Sequence, residues 1–320
     1  MLFRTILALV VASFAASAAL AQYPTKPVRV VVTFPPGGTP DIYGRIMSVE
    51  LSKLWNQSVV VENRTGAGGT IGTDYVAKSA PDGYTLLFAA DASITIAPHL
   101  YANLPYDPVR DFAPIVNVVA GPFVLMANPA FPPNNVKELI ALVRAQPGKI
   151  SYASSGAGGQ QHLAMESIRT MAGNMDMIHV PYKGFGQALA DVLANQVPLV
   201  FGGITASIQL TKSGKLKALG VTGPKRSRAL PDVPAIAETL PGFDITAWYG
   251  FMAPAGTPRE IVKKVHDDSV AIIHRPDFLE RLERDGIEPV GNTPEQFAAE
   301  IKRDIERWGK IVRAAGLKPE

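Results

Sequence analysis

The chain has 320 residues, 18% of them charged, with 28 glycines, 27 prolines, no cysteine and a formal net charge of +3 at pH 7. Without cysteine, a disulfide framework and a lipidated N-terminal cysteine are both excluded. Basic residues scattered without a long Lys/Arg block exclude a nucleic-acid footprint, and the length exceeds what one hydrophobic core usually serves, which predicts two lobes.

In chain order, Met1 to Arg4 is a short positive start, residues 6–20 are an apolar Ala/Ser-rich run, and Ala19-Leu20-Ala21 is a small-x-small cleavage signal. Residues 1–21 are therefore expected to be a signal peptide, cleaved on export to the periplasm. The run is too short and too diluted with alanine for a membrane span. Beyond it, strands alternate with helices, the pattern of an α/β fold with parallel sheets and crossover helices. Residues 28–34 read as a strand, and 41–55 as a helix with Ile42, Ile46 and Val49 on one face. Residues 59–61 form the second strand, the Gly66-Ala67-Gly68-Gly69 turn opens a helix to Ala77, and 85–90 form the third. After a Pro-rich passage at 104–114 the rhythm returns: helix 136–146, strand 150–154, helix 161–172, then further alternation to Val221. A Pro-punctuated loop (224–241) leads to one extended segment and three helices, the last with Phe297, Ile301, Ile305, Trp308 and Val312 on one stripe.

Two strand-turn-helix junctions stand out, at 31–41 and 151–160. Glycines clear Cβ atoms from each turn and a helix N-terminus carries partial positive charge, so each should aim backbone N–H groups at a small anion. Facing one another across a cleft, they would clamp a carboxylate. Two long extended stretches, 115–127 and 245–252, are expected to cross between lobes as a hinge. This divides the chain into lobe one (22–123 and 248–320) and lobe two (124–247).

Further motifs recur in a fixed order. They are Tyr23-Pro24 with Lys26-Pro27, Pro36-Gly37-Gly38 with Asp41, Val61-Glu62-Asn63-Arg64 before Gly66-Ala67-Gly68-Gly69, and Pro81-Asp82-Gly83-Tyr84-Thr85. Tyr152-Ala153-Ser154-Ser155-Gly156 with His162-Leu163-Ala164, His179-Val180-Pro181-Tyr182-Lys183-Gly184, Leu230-Pro231-Asp232-Val233-Pro234 and Ala253-Pro254-Ala255-Gly256 follow. In this order and spacing, from Tyr23 to the C-terminus, the sequence resembles the Bug-type (TctC-like) extracytoplasmic solute receptors of tripartite tricarboxylate transporters. The resemblance implies a two-lobed, type II periplasmic binding protein of the Venus-flytrap kind, a small carboxylate between the lobes, a membrane permease as partner, and no cofactor. A monomer is expected. It also implies that one ligand carboxylate is held by the turn of Phe34, Pro36, Gly37, Gly38, Thr39 and Asp41 and by the turn of Ser154, Ser155, Gly156, Gly158, Gly159 and Gln160. Ala90, Asp91 and Ser93, with Tyr182, Lys183 and Gly203, would complete a pocket that varies with ligand. Two positions depart from the family pattern: Gly159 replaces a usual Ser or Thr, and Pro198 replaces a frequent acid.

Plainer readings stand beside these. Asp41 at a helix start also suits capping, His162 suits a satisfied half-buried histidine, Lys183 suits a solvated loop lysine, Arg64 suits a loop tie, and Trp248 with Tyr249 suit core. An enzyme has little support. Gly66-Ala67-Gly68-Gly69-Thr70-Ile71-Gly72 misses G-x-G-x-x-G by one residue, there is no P-loop or G-x-S-x-G elbow, and the five histidines lack metal-ligand spacing. A secreted hydrolase or isomerase acting on a small acid, and a sensor subunit that presents its ligand to a signalling partner, are the alternatives.

Overall fold

The computed structural model describes residues 23–319, so the expected signal peptide lies outside the described residues. The chain opens with β1 (Val28–Val32), α1 (Thr39–Trp55), β2 (Val59–Asn63), α2 (Thr70–Ala77) and β3 (Thr85–Ala90). A π-helical turn (Ala92–Ile96) and the short α3 (Ala97–Leu100) lead to the 16-residue β4 (Phe112–Ala127). Then come α4 (Val136–Ala145), β5 (Ser151–Ser154), α5 (Gln160–Met171), β6 (Ile178–Pro181), α6 (Phe185–Leu193), β7 (Leu199–Gly203), α7 (Ile204–Lys212) and β8 (Lys217–Val221). The chain ends with β9 (Thr246–Pro254), α8 (Arg259–Ile273), α9 (Pro276–Asp285), β10 (Glu288–Pro289) and α10 (Pro294–Ala314).

The strands lie in the order β2-β1-β3-β9-β4-β7-β5-β6, with β8 and β10 also on β4. β1 pairs in parallel with β2 and β3, and β5 with β6 and β7, as crossover helices require. The two extended stretches are the exception to the expected parallel pattern: β9 runs antiparallel to both β3 and β4. β4 serves both halves of the sheet. Its first part, from Phe112 to Pro122, pairs with β9, and its last part, to Ala127, pairs antiparallel with β7 and β8. Where the strands pass between halves, buried Thr222 joins three chain segments. Its N–H donates to Phe123 O (2.9 Å), its Oγ1 accepts from Phe123 N–H (2.7 Å) and donates to Ile245 O (2.5 Å), and its carbonyl accepts from Ile245 N–H (2.9 Å).

Helix α1 buries Tyr43, Met47 and Leu51, while Val49 is 53% exposed and Ile42 and Ile46 are half-buried. The face expected from Ile42, Ile46 and Val49 is thus rotated, because Tyr43 and Met47 carry the larger apolar bodies and take the core. α10 follows the expected stripe, with Phe297, Ile301, Trp308 and Val312 all buried. A Thr293–Gln296 capping box starts this helix, which packs on β4, on the π-helical turn and on α5. It therefore touches elements from both halves of the sheet.

Candidate ligand-binding site

The two glycine turns are built alike. Gly37 and Gly158 have φ of +87° and +73°, a region that glycine enters without a Cβ penalty. The next glycines, Gly38 and Gly159, are the N-cap residues of α1 and α5, with φ/ψ of −79°/163° and −64°/161°. Neither N-cap makes a side-chain cap, so the first N–H groups of both helices have no intrahelical acceptor.

The likeness extends one bond further. Gly37 N–H donates to Asp41 Oδ2 (3.0 Å), and Gly158 N–H donates to His162 Nδ1 (2.9 Å). In each turn the left-handed glycine is held by the side chain four residues on, inside the helix the turn begins. The amide of Gly37 is thus committed within the chain, which leaves the N–H groups after it as the donors that face outward.

Asp41 is the centre of the first turn and 4% exposed. Its Oδ1 also accepts from Arg45 Nε (3.0 Å) and Asn63 Nδ2 (2.8 Å), and the Asn63 amide reaches on to Phe34 O (3.0 Å). Burial pushes the Asp41 carboxyl up, but the hydrogen bonds from Arg45, Asn63 and the Gly37 amide outweigh it and hold it below the ordinary aspartate value. Its lone pairs serve the turn through Gly37, Arg45 and Asn63, whereas the capping reading expected helix N–H groups as its donors. Replacing Asp41 by alanine is expected to cost about 2 kcal/mol, because the donors of Gly37, Arg45 and Asn63 lose a buried, ionised acceptor. The depressed pKa places that contribution above pH 3.8, and it is lost as pH falls through the folded value. Melting curves of the two proteins should therefore differ at pH 7 and converge in acid.

Around the second turn, Ser154 Oγ donates to Gly156 O (3.0 Å) and accepts from Gly156 N–H (3.2 Å), Ser155 Oγ donates to Gln161 Oε1, and Gly159 N–H reaches Gly156 O at 3.4 Å. Tyr182 N–H donates to Ser154 O (3.0 Å) and its hydroxyl to Asp191 Oδ2 (2.5 Å). That bond to Asp191 pushes the Tyr182 hydroxyl up to about 12.

Near the turns, three contacts join the two sides of the molecule. Gln160 Nε2 donates to both oxygens of Asp91 (2.8 and 2.7 Å), Thr39 Oγ1 lies 3.6 Å from where a Gly203 Cβ would stand, and Leu100 covers Gly158. Asp91 is fully buried, and burial, then the nearby Asp304, pushes its carboxyl well above the ordinary range. Thr39 also hydrogen-bonds Tyr249, whose hydroxyl burial and Asp91 hold high.

The family model described as the tripartite tricarboxylate transporter family receptor matches residues 44–317. The chain belongs to this receptor family. BugT of Bordetella pertussis is 36% identical over 312 residues, covering 96% of this chain and 94% of BugT. Among solved structures, an R. palustris protein with adipate is 34% identical with a TM-score of 0.86, over 93% of this chain and 100% of that one. MatC of Rhodopseudomonas palustris with bound malate is 32% identical with a TM-score of 0.80, over 91% of this chain and 100% of MatC. The two-lobed binding-protein fold and the non-catalytic reading follow from membership of this receptor family.

Of the expected pocket residues, Asp41 and Gly158 are buried and Phe34 half-buried within the turns, and the others fall into three groups. Thr39, Asp91, Gln160 and Gly203 are brought together where the sheet halves meet. Pro36, Gly37, Gly38, Ser155, Gly156 and Gly159 lie on the exposed or half-buried rims of the turns, with Lys183 exposed beside Tyr182. Ala90, Ser93 and Ser154 are buried; Ser93 Oγ donates to Ala90 O (3.1 Å). Arg64 is a loop tie, bonded to Glu62 (2.5 Å) and lying 3.6 Å over the Tyr75 ring. Trp248 is core, with its indole N–H on Asp304 (3.2 Å), but Tyr249 reaches Thr39 and Asp91. Tyr249 and His179 were not among the expected site residues, since aromatic and β-branched strand patterns carry no sign of which face meets a cleft.

Proposed function

We propose that this chain is a periplasmic receptor that takes one carboxylate of a small organic acid between the two glycine turns and delivers it to the permease of a tripartite transporter. Residues 1–21 act as a cleaved leader, and the mature chain is an unlipidated monomer. Lobe one comprises 22–123 and 248–320, lobe two 124–247, and the strands β4 and β9 with Thr222 form the hinge between them. The observation that carries the reading is the shared geometry of the turns, each presenting helix-start amides with no intrahelical acceptor. Several such bonds to an ionised oxygen, each contributing about 1.5 to 3 kcal/mol, support micromolar binding after ordering costs. Relatives solved with adipate and malate support a carboxylate with a second polar end.

The test is a thermal-shift series on residues 22–320, refolded to remove carried-over ligand, against mono-, di-, tri- and aromatic carboxylates and amino acids. A ligand at a hundred times its Kd is expected to raise the melting temperature by roughly 5 °C. The ligand should be recovered unchanged, which separates a receptor from a hydrolase or isomerase. A flat response to every anion would refute the carboxylate clamp.

A further inference from the structure

His162 and Asp41 hold equivalent places in the two turns, but the acceptor on His162 is an imidazole nitrogen that a proton can occupy. Gly158 N–H donates to Nδ1 of His162, which assigns the ring proton to Nε2, facing Glu166 Oε1 at 3.6 Å. The ring lies face to face with His179, with centroids 3.8 Å apart and planes 5° from parallel. Tyr152 stacks with both rings, at 6.3 Å from His162 and 5.0 Å from His179.

The two imidazoles brace one turn by opposite means. Ser154 Oγ donates to Gly156 O, and in the tautomer that carries its proton on Nε2 the His179 ring, at 2.7 Å, donates to Ser154. That donor survives protonation of His179. The His162 acceptor does not survive protonation of His162.

We propose that neutral His162 is a positioning residue for the second glycine turn, and that a proton on its Nδ1 releases Gly158 and weakens ligand binding in acid. This rests on the carboxylate-clamp reading above. The charged and titratable groups facing the stack are Tyr152 from β5, Glu166 and Arg169 from α5, and His179 from β6. Glu166 Oε1 already accepts from the Tyr152 hydroxyl and from Arg169 Nη1, each at 2.6 Å. Burial holds His162 below its ordinary value of 6.5, against the pull of Glu166, and burial with the adjacent His162 ring holds His179 at about 4. Glu166 Oε1, 3.6 Å from His162 Nε2, favours the first proton on His162. Repulsion between rings 3.8 Å apart opposes the second. Once charged, His162 turns an N–H toward the N–H of Gly158, and two donors face each other. The first turn is unaffected in this range because Asp41 stays ionised.

The sign follows from the lowered pKa. The brace is intact above pH 6.5 and is lost progressively as pH falls through the folded value of His162.

The test uses the ¹⁵N-labelled mature chain in two arms. Without ligand, the His162 ring nitrogens and the Gly158 amide are followed by NMR from pH 7.5 to 4.5. They are expected to titrate with one midpoint below 6.5, with Gly158 losing its hydrogen-exchange protection. In His162→Asn, whose Oδ1 can accept from the amide and does not titrate, the Gly158 signal should stay constant. With ligand, calorimetry measures affinity for adipate and for malate at both ends of the range. Both proteins share the titration of the ligand itself, so wild-type affinity should fall about fivefold or more beyond the fall in His162→Asn. A Gly158 amide that ignores the His162 titration, or a wild-type affinity that rises or tracks the variant, would overturn the proposal. If neither acid binds wild type at pH 7.5, these acids are removed from the clamp reading, and the ligand-free arm still decides the brace.

Discussion

Valine in place of Gly38 is expected to leave a folded protein that binds carboxylates at least about a hundredfold more weakly, the loss of two charge-assisted hydrogen bonds. Gly38 has an extended backbone open to any residue, with φ −79° and ψ 163°. A Cβ there would meet nothing nearer than Pro35 O and Pro40 Cδ, both at 3.7 Å, which is ordinary contact. The fold therefore has no reason to object. The branched methyl groups, however, stand at the N-cap, beside the amides of Thr39 and Asp41 that the proposed clamp would use. Pro40 supplies no amide, so these two carry most of what the first turn offers an anion. Melting by circular dichroism would establish the fold and calorimetry the affinity. Wild-type affinity in folded Gly38→Val would remove the first turn from the site. The same substitution at Gly37 would be uninformative, since its φ of +87° would strain the backbone whatever the ligand does.

The largest effect on stability is expected at Gly250, in the middle of β9. A Cβ at this position would stand 2.4 Å from Val116 O and 3.0 Å from Asn117 Cα on β4, and 3.0 Å from the Phe297 ring. Two of these atoms are backbone of the paired strand, beside the register shifts on either side of Asn117, so neither can turn aside as a side chain would. Gly250→Val is expected to yield little soluble protein. Gly250→Ala should lose about 3 kcal/mol, read as a drop of roughly 5 °C in melting temperature. An alanine variant melting with wild type would mean that β4 can retreat without breaking its ladder.

Much of the alternation of strands and helices was legible because the apolar periods are clean and the glycine and proline boundaries are sharp. The helix expected over 161–172 is α5 at Gln160–Met171, and the stretch expected over 115–127 is β4, which begins three residues earlier inside the Pro-rich passage. Pro114 is admitted there because it falls at a register shift, where one ladder bond is already missing. The antiparallel sense of β9 was not legible, since a strand pattern says which residues face inward and nothing about direction. The π-helical turn after Asp91 was also hidden, as its backbone depends on packing against α10. The braces of the two turns were present in the sequence as a shared spacing, Gly37-Gly38-x-x-Asp41 and Gly158-Gly159-x-x-His162. They become visible once a hydrogen-bond acceptor is sought four residues beyond a left-handed glycine. Aspartate and histidine look unrelated until both are read as acceptors.

The register of the central strands bears on how this chain can be cut and rejoined. Pro122 on β4 sits opposite Thr246 on β9, so the polypeptide leaves the first half of the sheet and re-enters it through adjacent residues. Topologically, everything between them is an insertion whose two ends are already neighbours. Exchanging such a segment for its counterpart from another receptor places one junction inside β4, between Pro122 and Phe123, and the other at the start of β9, so the transplant must continue the β4 strand in register. The condition is local: the transplant must bring its own equivalents of Phe123, Thr222 and Ile245, because those three close the neck. Ligand preference carried by the second turn would then travel as one block, while the first turn stays with the host.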